Sequence, residues 1–161
     1  MTLPVGMNVD VTSTTAEFAL GELKWDRGKA YVFIQANGAI TGDGYVVSWK
    51  GNVFDAAMVD TDTAATVVAG MQLGVVECAF ADNEYGWAQV YGACGIRTEQ
   101  DALANSLLGP TADAGQIDDA ATTANLCAGI WLGTATGAAD AVNTTGYLNF
   151  PQMEDRYTPQ T

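Results

Sequence analysis

The sequence predicts a mainly β protein, folded as a single antiparallel β-barrel or sandwich domain with at most one short helix and extended terminal arms. Between Phe18 and Phe150, short apolar runs alternate with turn residues, chiefly Gly, Asn and Asp, which is the pattern of an all-β domain. The 161 residues are 48% hydrophobic and 16% charged, a composition that can fill one core. No internal repeat or change of composition indicates a second domain.

We divide the chain into an extended arm over residues 1–17, a β-rich body over residues 18–151 and a tail over residues 152–161. The arm has a cluster of Ser and Thr after Val9 and Val11 and lacks helical periodicity. Such an arm often orders only against a neighbouring chain, and a frayed terminus is the alternative. The tail is polar and contains Thr158-Pro159, so we expect it on the surface or on a neighbour.

Turn residues divide the body into predicted strands. These strands cover residues 18–23, 29–36, 45–50, 53–60, 65–69, 73–81, 85–92, 126–135 and 146–150. Residues 25–28 are a predicted turn, and residues 29–36 are apolar enough on both faces for both to be covered. Residues 102–108, followed by Gly109-Pro110, are the one predicted helical turn. Pro151 is expected to end the last strand.

The clearest local prediction is an antiparallel hairpin of residues 73–81 and 85–92. Asp82-Asn83-Glu84 would form a three-residue loop between them. A hairpin centred on Asn83 faces each large ring with a small or β-branched partner. The predicted pairs are Val75 with Tyr91, Val76 with Val90, Ala79 with Trp87, and Phe80 with Gly86.

Charge and cysteine content favour some partners and compartments over others. The 19 acidic and 6 basic residues give a net charge of −13, which disfavours binding to nucleic acid. The sequence has no basic and apolar leader and no run of about 20 apolar residues, so neither secretion nor membrane insertion is predicted. Cys78, Cys94 and Cys127 are predicted to be buried, reduced thiols, as in a protein made in a reducing cytoplasm.

No recognisable catalytic machinery is present in the sequence. Histidine is absent, which removes the most common general base and the Ser-His-Asp and Cys-His arrangements. Carboxylates alone can serve a glycosidase, and the candidate pairs are Asp82 with Glu84 and Asp118 with Asp119. Both pairs lie in predicted loops, where acidic residues favour turns and solubility. We therefore predict a protein that is not an enzyme and has no cofactor.

A calcium site is the weakly supported alternative use of these carboxylates. Asp60-Thr61-Asp62 or Asp118-Asp119 supplies oxygen ligands, but the twelve-residue calcium loop with its central Gly and terminal Glu is missing. We therefore predict no metal site.

An aromatic stripe runs along residues 85–91. Tyr85, Trp87, Gln89 and Tyr91 alternate with other residues, so in a strand they point to one face. Such a stripe is typical of a carbohydrate platform or an interface anchor. One face of an intramolecular core is the more ordinary interpretation.

Several segments resemble a family of small proteins encoded beside the major capsid protein of tailed phages, the head decoration or cement proteins. The strongest likeness is in Leu73-Gly74-Val75, Phe80-Ala81 and Glu84-Tyr85-Gly86-Trp87-Ala88-Gln89-Val90-Tyr91-Gly92. Further similar segments are Phe18-Ala19-Leu20-Gly21, Tyr31-Val32-Phe33-Ile34-Gln35-Ala36, Gly38-Ala39-Ile40, Gly115-x-x-Asp118-Asp119 and Phe150-Pro151. The resemblance extends from about Phe18 to Pro151.

The resemblance implies a structural protein of the virion, made in the host bacterial cytoplasm. A β-rich body would sit on the capsid exterior, often as trimers at local threefold positions, and clamp neighbouring capsomers of the major capsid protein against internal DNA pressure. The family has no catalytic residues to carry over, and its interface residues are not assigned here. The acidic composition also favours an outer surface over a DNA-lined interior.

Two other functions remain open from the sequence. A carbohydrate-binding or adhesion module would expose Trp25, Trp49, Trp87 or Trp131 on a flat platform. A small carboxylate hydrolase would need two acidic side chains that converge in a pocket.

Overall fold

The computed structural model describes residues 6–61, 70–119, 125–137 and 142–155. Ten strands account for most of this part of the chain and belong to one sheet. They are β1 (Leu23–Asp26), β2 (Lys29–Ala36), β3 (Val46–Lys50), β4 (Val53–Met58), β5 (Gln72–Val76), β6 (Tyr85–Thr98), β7 (Leu108–Pro110), β8 (Ile117–Asp119), β9 (Asn125–Leu132) and β10 (Val142–Asp155). The predicted mainly β class is confirmed.

Strand β6 organises the sheet because it pairs with four other strands along its length. Its first half pairs with β2 and β5, and its second half pairs with β10 and, at its end, with β8. Strands β2, β4, β3, β5 and β6 pair in that order, and β6 pairs back with β2. These five strands therefore form a closed ring, and strands β7–β10 extend from one side of it.

Two apolar cores lie on opposite faces of the shared strands β3 and β5. One core packs Val47 and Trp49 of β3 with Ile34, Val76 and other side chains of the ring. The other packs side chains of β3 and β5 with those of β6, β7, β8, β9 and β10. Covering both faces of β3 and β5 explains why their sequences are apolar without alternation.

The described part of the N-terminal arm packs against its own body. The backbone of Ser13 exchanges hydrogen bonds of 2.8 and 2.9 Å with the backbone of Tyr85. Met7 is 2% exposed and packs with Phe33 and Trp87 on the outer face of β2 and β6. This part of the arm therefore has packing and hydrogen-bonding partners within its own chain.

The predicted hairpin is partly right. β5 and β6 are antiparallel as predicted, but Val75 pairs with Gln89 rather than Tyr91, and Val76 pairs with Ala88 rather than Val90. This register is shifted by two residues, which keeps each side chain on its predicted face. The ladder stops after Val76, so Ala79 and Phe80 do not pair with Trp87 and Gly86.

The cause of this shift is a competing set of backbone hydrogen bonds. Phe80 exchanges two 2.9 Å backbone hydrogen bonds with Ile40, and Ala36 donates to the Glu84 carbonyl at 2.8 Å. Residues 77–84 are therefore held beside β2 and its following turn. Most of the first half of β6 then pairs with β2.

Other boundaries also differ from the predictions. The first strand is β1 rather than residues 18–23, because Arg27 and Gly28, with φ of 47° and 80°, form a tight turn that leaves Trp25 and Asp26 in the strand. The predicted helix at residues 102–108 is wrong, because turns with positive φ at Asp101 and Asn105 lead into β7. The predicted strand at residues 65–69 lies outside the described residues.

The last strand does not end at Pro151. β10 continues through a bulge to Asp155, and Met153 is fully buried. Proline is tolerated there because the register with β9 shifts between Leu148 and Gln152. The first residues of the predicted tail therefore belong to the sheet.

Candidate functional site

The carboxylates of Asp82 and Glu84 are used to hold a turn. Glu84 accepts hydrogen bonds from the Ala81 amide at 2.8 Å and from the Thr12 hydroxyl at 2.7 Å. These bonds stabilise the charged form and hold the pKa of Glu84 below its ordinary value. Asp82 accepts a 2.8 Å hydrogen bond from the Gly38 amide. Neither carboxyl group is placed as a general acid.

Asp118 and Asp119 lie in strand β8 rather than in the predicted loop. Asp118 accepts a 2.7 Å hydrogen bond from the Asp119 amide. Partial burial, together with the neighbouring Asp119, raises the pKa of Asp118 to about 6. No group of three or more His, Cys, Asp or Glu side chains suited to a metal ion occurs among the described residues. Asp62 of the other predicted calcium segment lies outside them.

The three cysteines are free thiols. Cys94 and Cys127 are buried, and burial raises the pKa of both thiols to about 12. Cys78 is only partly buried, and its pKa is raised to about 11 for the same reason. These thiols are poor nucleophiles at neutral pH.

Among the described residues, no helix has the length and apolar character needed to cross a membrane.

The predicted aromatic stripe is divided between core and surface. Trp87 and Gln89 are buried, so the ordinary interpretation holds for these two residues. Tyr91 departs from the stripe because the pairing of β2 with β6 shifts between Ala30 and Tyr31. This bulge places Tyr91 with a different set of aromatic rings.

Those rings form an exposed cluster that we call the Trp25 cluster, made of Trp25, Tyr91 and Phe150. The ring centroids of Tyr91 lie 5.3 Å from Trp25 and 5.6 Å from Phe150, and Trp25 lies 6.2 Å from Phe150. The three residues are 52%, 36% and 49% exposed in the order Trp25, Tyr91, Phe150. Large aromatic rings are seldom left this accessible in a group without a binding role.

Backbone irregularities build the Trp25 cluster. Phe150 has a φ of +46° and lies in the bulge of β10, where Asn149, Phe150 and Pro151 oppose Gly129 alone. Gly129 has a φ of +81°, and a Cβ there would lie 2.9 Å from the Asn149 carbonyl oxygen. The bulge can therefore close against Gly129 only because this residue has no side chain.

An apolar cleft of about 260 Å³ adjoins the Trp25 cluster. Phe150 forms one wall, and Leu23, Phe54 and Pro151 are among the other lining residues. Trp49 closes the cleft on its inner side, with its indole N–H donating to Gln72 at 2.7 Å. The cleft and the rings together form a continuous apolar surface with a hollow beside it.

A second exposed aromatic site, the Trp131 pair, consists of Trp131 on β9 and Tyr147 on β10. The two residues face each other across the ladder. Their ring centroids are 6.0 Å apart and their planes differ by 22°. Trp131 is 40% exposed and Tyr147 is 42% exposed. Neither residue lines the apolar cleft beside the Trp25 cluster.

Sequence analysis identified only part of these sites. Of the four predicted tryptophans, Trp25 and Trp131 are exposed, whereas Trp49 and Trp87 are buried. Phe150 and Tyr147 were not singled out as binding residues. Alternating exposure along β10 was the available signal for Tyr147, whereas Phe150 lies in the bulge that breaks this alternation. Comparison of the chain with protein-family models, curated proteins and solved structures finds no match.

Proposed function

We propose that this chain is a non-enzymatic structural protein of the virion that binds the exterior of an icosahedral phage capsid and stabilises contacts between capsomers. The observation that carries the proposal is the Trp25 cluster with its adjoining cleft. The partner we propose is the major capsid protein, because the resemblance to head decoration proteins implies it.

The geometry of the cluster suits a protein partner. Its three rings are mutually tilted, by 57°, 65° and 35°, and they stand beside a hollow rather than on a flat wall. A partner side chain can fill the cleft while the rings cover it and exclude water. Protein interfaces concentrate their binding energy in such aromatic anchors around a pocket.

Charge supports a protein partner over nucleic acid. Lys24, Arg27 and Lys29, which adjoin Trp25 in sequence, each lie within 4.0 Å of a carboxylate. Their positive charge is therefore largely balanced within the protein. With a net charge of −13, the surface repels a phosphate backbone.

Many weak contacts are sufficient for this role. A protein that binds the assembled shell but not free subunits stabilises the shell by mass action. Because each copy adds its own contribution, the single-site affinity need not be high.

The test is cosedimentation of the purified chain with undecorated shells of the phage major capsid protein that the resemblance implies as its partner. We expect Trp25→Ala and Phe150→Ala to weaken shell binding by about tenfold or more, as for loss of an anchor residue. Trp131→Ala removes an indole of comparable exposure elsewhere and should bind as the unchanged protein does. Absence of the unchanged protein from the shell pellet, or equal binding by Trp25→Ala, would contradict the proposal.

We also propose that the chain self-associates, with the trimer favoured because the resemblance implies trimers at local threefold positions. Sedimentation equilibrium of the free protein and a count of copies on each shell test this. Copies in multiples of three are expected. A protein that is monomeric in solution and occupies single, unrelated positions on the shell would contradict it.

A second candidate function is that of a carbohydrate-binding or adhesion module on the virion surface. The exposure of Trp25 and Trp131 favours it, because a sugar platform requires accessible indoles. Loss of glycan binding on Trp131→Ala, with shell binding intact, would separate this function from shell docking.

A further inference from the structure

The exposed side chains on either side of the Trp131 pair along β10 are uncharged. Tyr147 pairs with Trp131 on one side and with Ala93 of β6 on the other. Thr145 and Asn149 flank Tyr147 on the same face of β10, and both are exposed. The protein has 19 acidic residues, so an exposed surface formed by these uncharged side chains differs from the acidic character of the whole chain.

This face also offers unused hydrogen-bonding groups. Within the described residues, the Thr145 hydroxyl, the Asn149 amide, the Tyr147 hydroxyl and the Trp131 indole N–H have no protein partner. They can therefore both donate to and accept from a bound molecule. The next outward side chain along β6 beyond Gly95 is Arg97, whose guanidinium lies 5.0 Å from the centre of the Tyr45 ring.

We propose that the Trp131 pair, with Thr145 and Asn149, is a binding site for a neutral oligosaccharide. The apolar C–H face of a sugar ring packs against the electron-rich face of an aromatic ring. The two ring planes here are within 22° of parallel, and both rings are partly exposed, so a sugar ring can pack against the accessible part of either ring. The amide and hydroxyl groups beside the rings then bind the sugar hydroxyls.

The absence of charge selects this ligand class over others. An anionic polysaccharide would be repelled by the acidic body and would meet no cation among the side chains of the site. A protein partner would be expected to use a pocket for its anchor side chains, such as the apolar cleft, and neither Trp131 nor Tyr147 lines that cleft. Since β10 is hydrogen-bonded on both sides, the site is rigid before a ligand arrives.

This inference deepens the second candidate function and does not depend on shell docking. The test titrates the full chain with neutral hexasaccharides of glucose, galactose, mannose and N-acetylglucosamine, followed by calorimetry and tryptophan fluorescence. We expect at least one to bind with a dissociation constant of roughly 1 mM or tighter. Trp131→Ala should weaken binding by about tenfold or more, whereas Tyr147→Phe, which keeps the ring, should weaken it by only about threefold.

Trp25→Ala is the matched control, because it removes an indole of comparable exposure from the other site and should leave the sugar affinity unchanged. Lack of binding to all four hexasaccharides would overturn the inference. So would equal losses of affinity in Trp25→Ala and Trp131→Ala. If sedimentation shows that the protein forms oligomers that Trp131→Ala dissolves, a second copy occupies this face and the inference is wrong. None of these results changes the expectation that Trp25→Ala loses shell binding.

Discussion

The Trp25 cluster and the Trp131 pair are both exposed aromatic sites, but the backbone builds them in opposite ways. Two bulges bring Tyr91 and Phe150 beside Trp25 and leave a cleft. Trp131 and Tyr147 instead face each other in an unbroken stretch of the β9–β10 ladder, and neither residue lines that cleft. Irregular pairing thus creates a cluster of tilted rings beside a cleft, for which we propose a protein partner. Regular pairing creates a pair of nearly parallel rings, for which we propose a sugar ligand.

The largest expected stability effect comes from the bulge under the Trp25 cluster. In Gly129→Ala, the new Cβ would lie 2.9 Å from the Asn149 carbonyl oxygen and 3.1 Å from the Pro151 Cα, at a φ of +81°. Because backbone cannot move aside as a side chain can, we expect a loss of about 2–4 kcal/mol in the free energy of unfolding. Urea denaturation measures it, and shell binding should weaken as Phe150 moves.

Gly38→Ala is the control for that variant. Gly38 has a comparable φ of +92°, but a Cβ there meets no atom within 4 Å. We expect only the conformational cost, about 1 kcal/mol. Equal losses in the two variants would mean that the close approach at Gly129 does not support the bulge.

The difference between regular and irregular strand pairing also determines how much of each site can be predicted from the sequence. Strand β2 was predicted with its observed bounds, because apolar residues on both faces mark a covered strand. The exposed side of the Trp131 pair also follows from simple alternation along β10. The Trp25 cluster does not, because a bulge changes which face a side chain occupies and depends on contacts between distant segments. The β5–β6 register shift arose likewise from the distant contact of Phe80 with Ile40.

A smaller effect is expected at the regular site. In Gly133→Ala, the new Cβ would lie 3.3 Å from Cε2 of Tyr147 and 3.6 Å from the Thr145 carbonyl oxygen. The Tyr147 ring can tilt to make room, so the free energy of unfolding should change by about 0.5 kcal/mol or less. The tilt should nevertheless lower affinity for the neutral hexasaccharide by about threefold.

Gly137→Ala provides the comparison, because a Cβ at Gly137 meets nothing within 4 Å. It should change neither stability nor sugar affinity by a measurable amount. If both variants leave the sugar affinity unchanged, the orientation of the Tyr147 ring does not matter and the flat geometry is not what selects the ligand.

The smallest predicted effect tests whether pH acts on either aromatic site. Neither site contains a carboxyl group, whereas Asp118 on β8 has a pKa of about 6 in place of its ordinary value of 3.8, because of partial burial and the nearby Asp119. Folding therefore binds a proton between these values, and the folded protein loses stability as pH rises through about 6. Asp118→Asn removes the buried charge and can still accept the hydrogen bond from Asp119. Because Asp118 is only partly buried, solvent screening limits the effect, and we expect the melting temperature to rise by only about 1–2 °C at pH 7.5. The gain should shrink at pH 5, where Asp118 is already protonated in the folded state, and calorimetry at both pH values measures it.

Shell binding and sugar binding should be unchanged in this variant at both pH values. A change in either would mean that the β8 edge communicates with an aromatic site and that the two sites are not independent of the rest of the sheet.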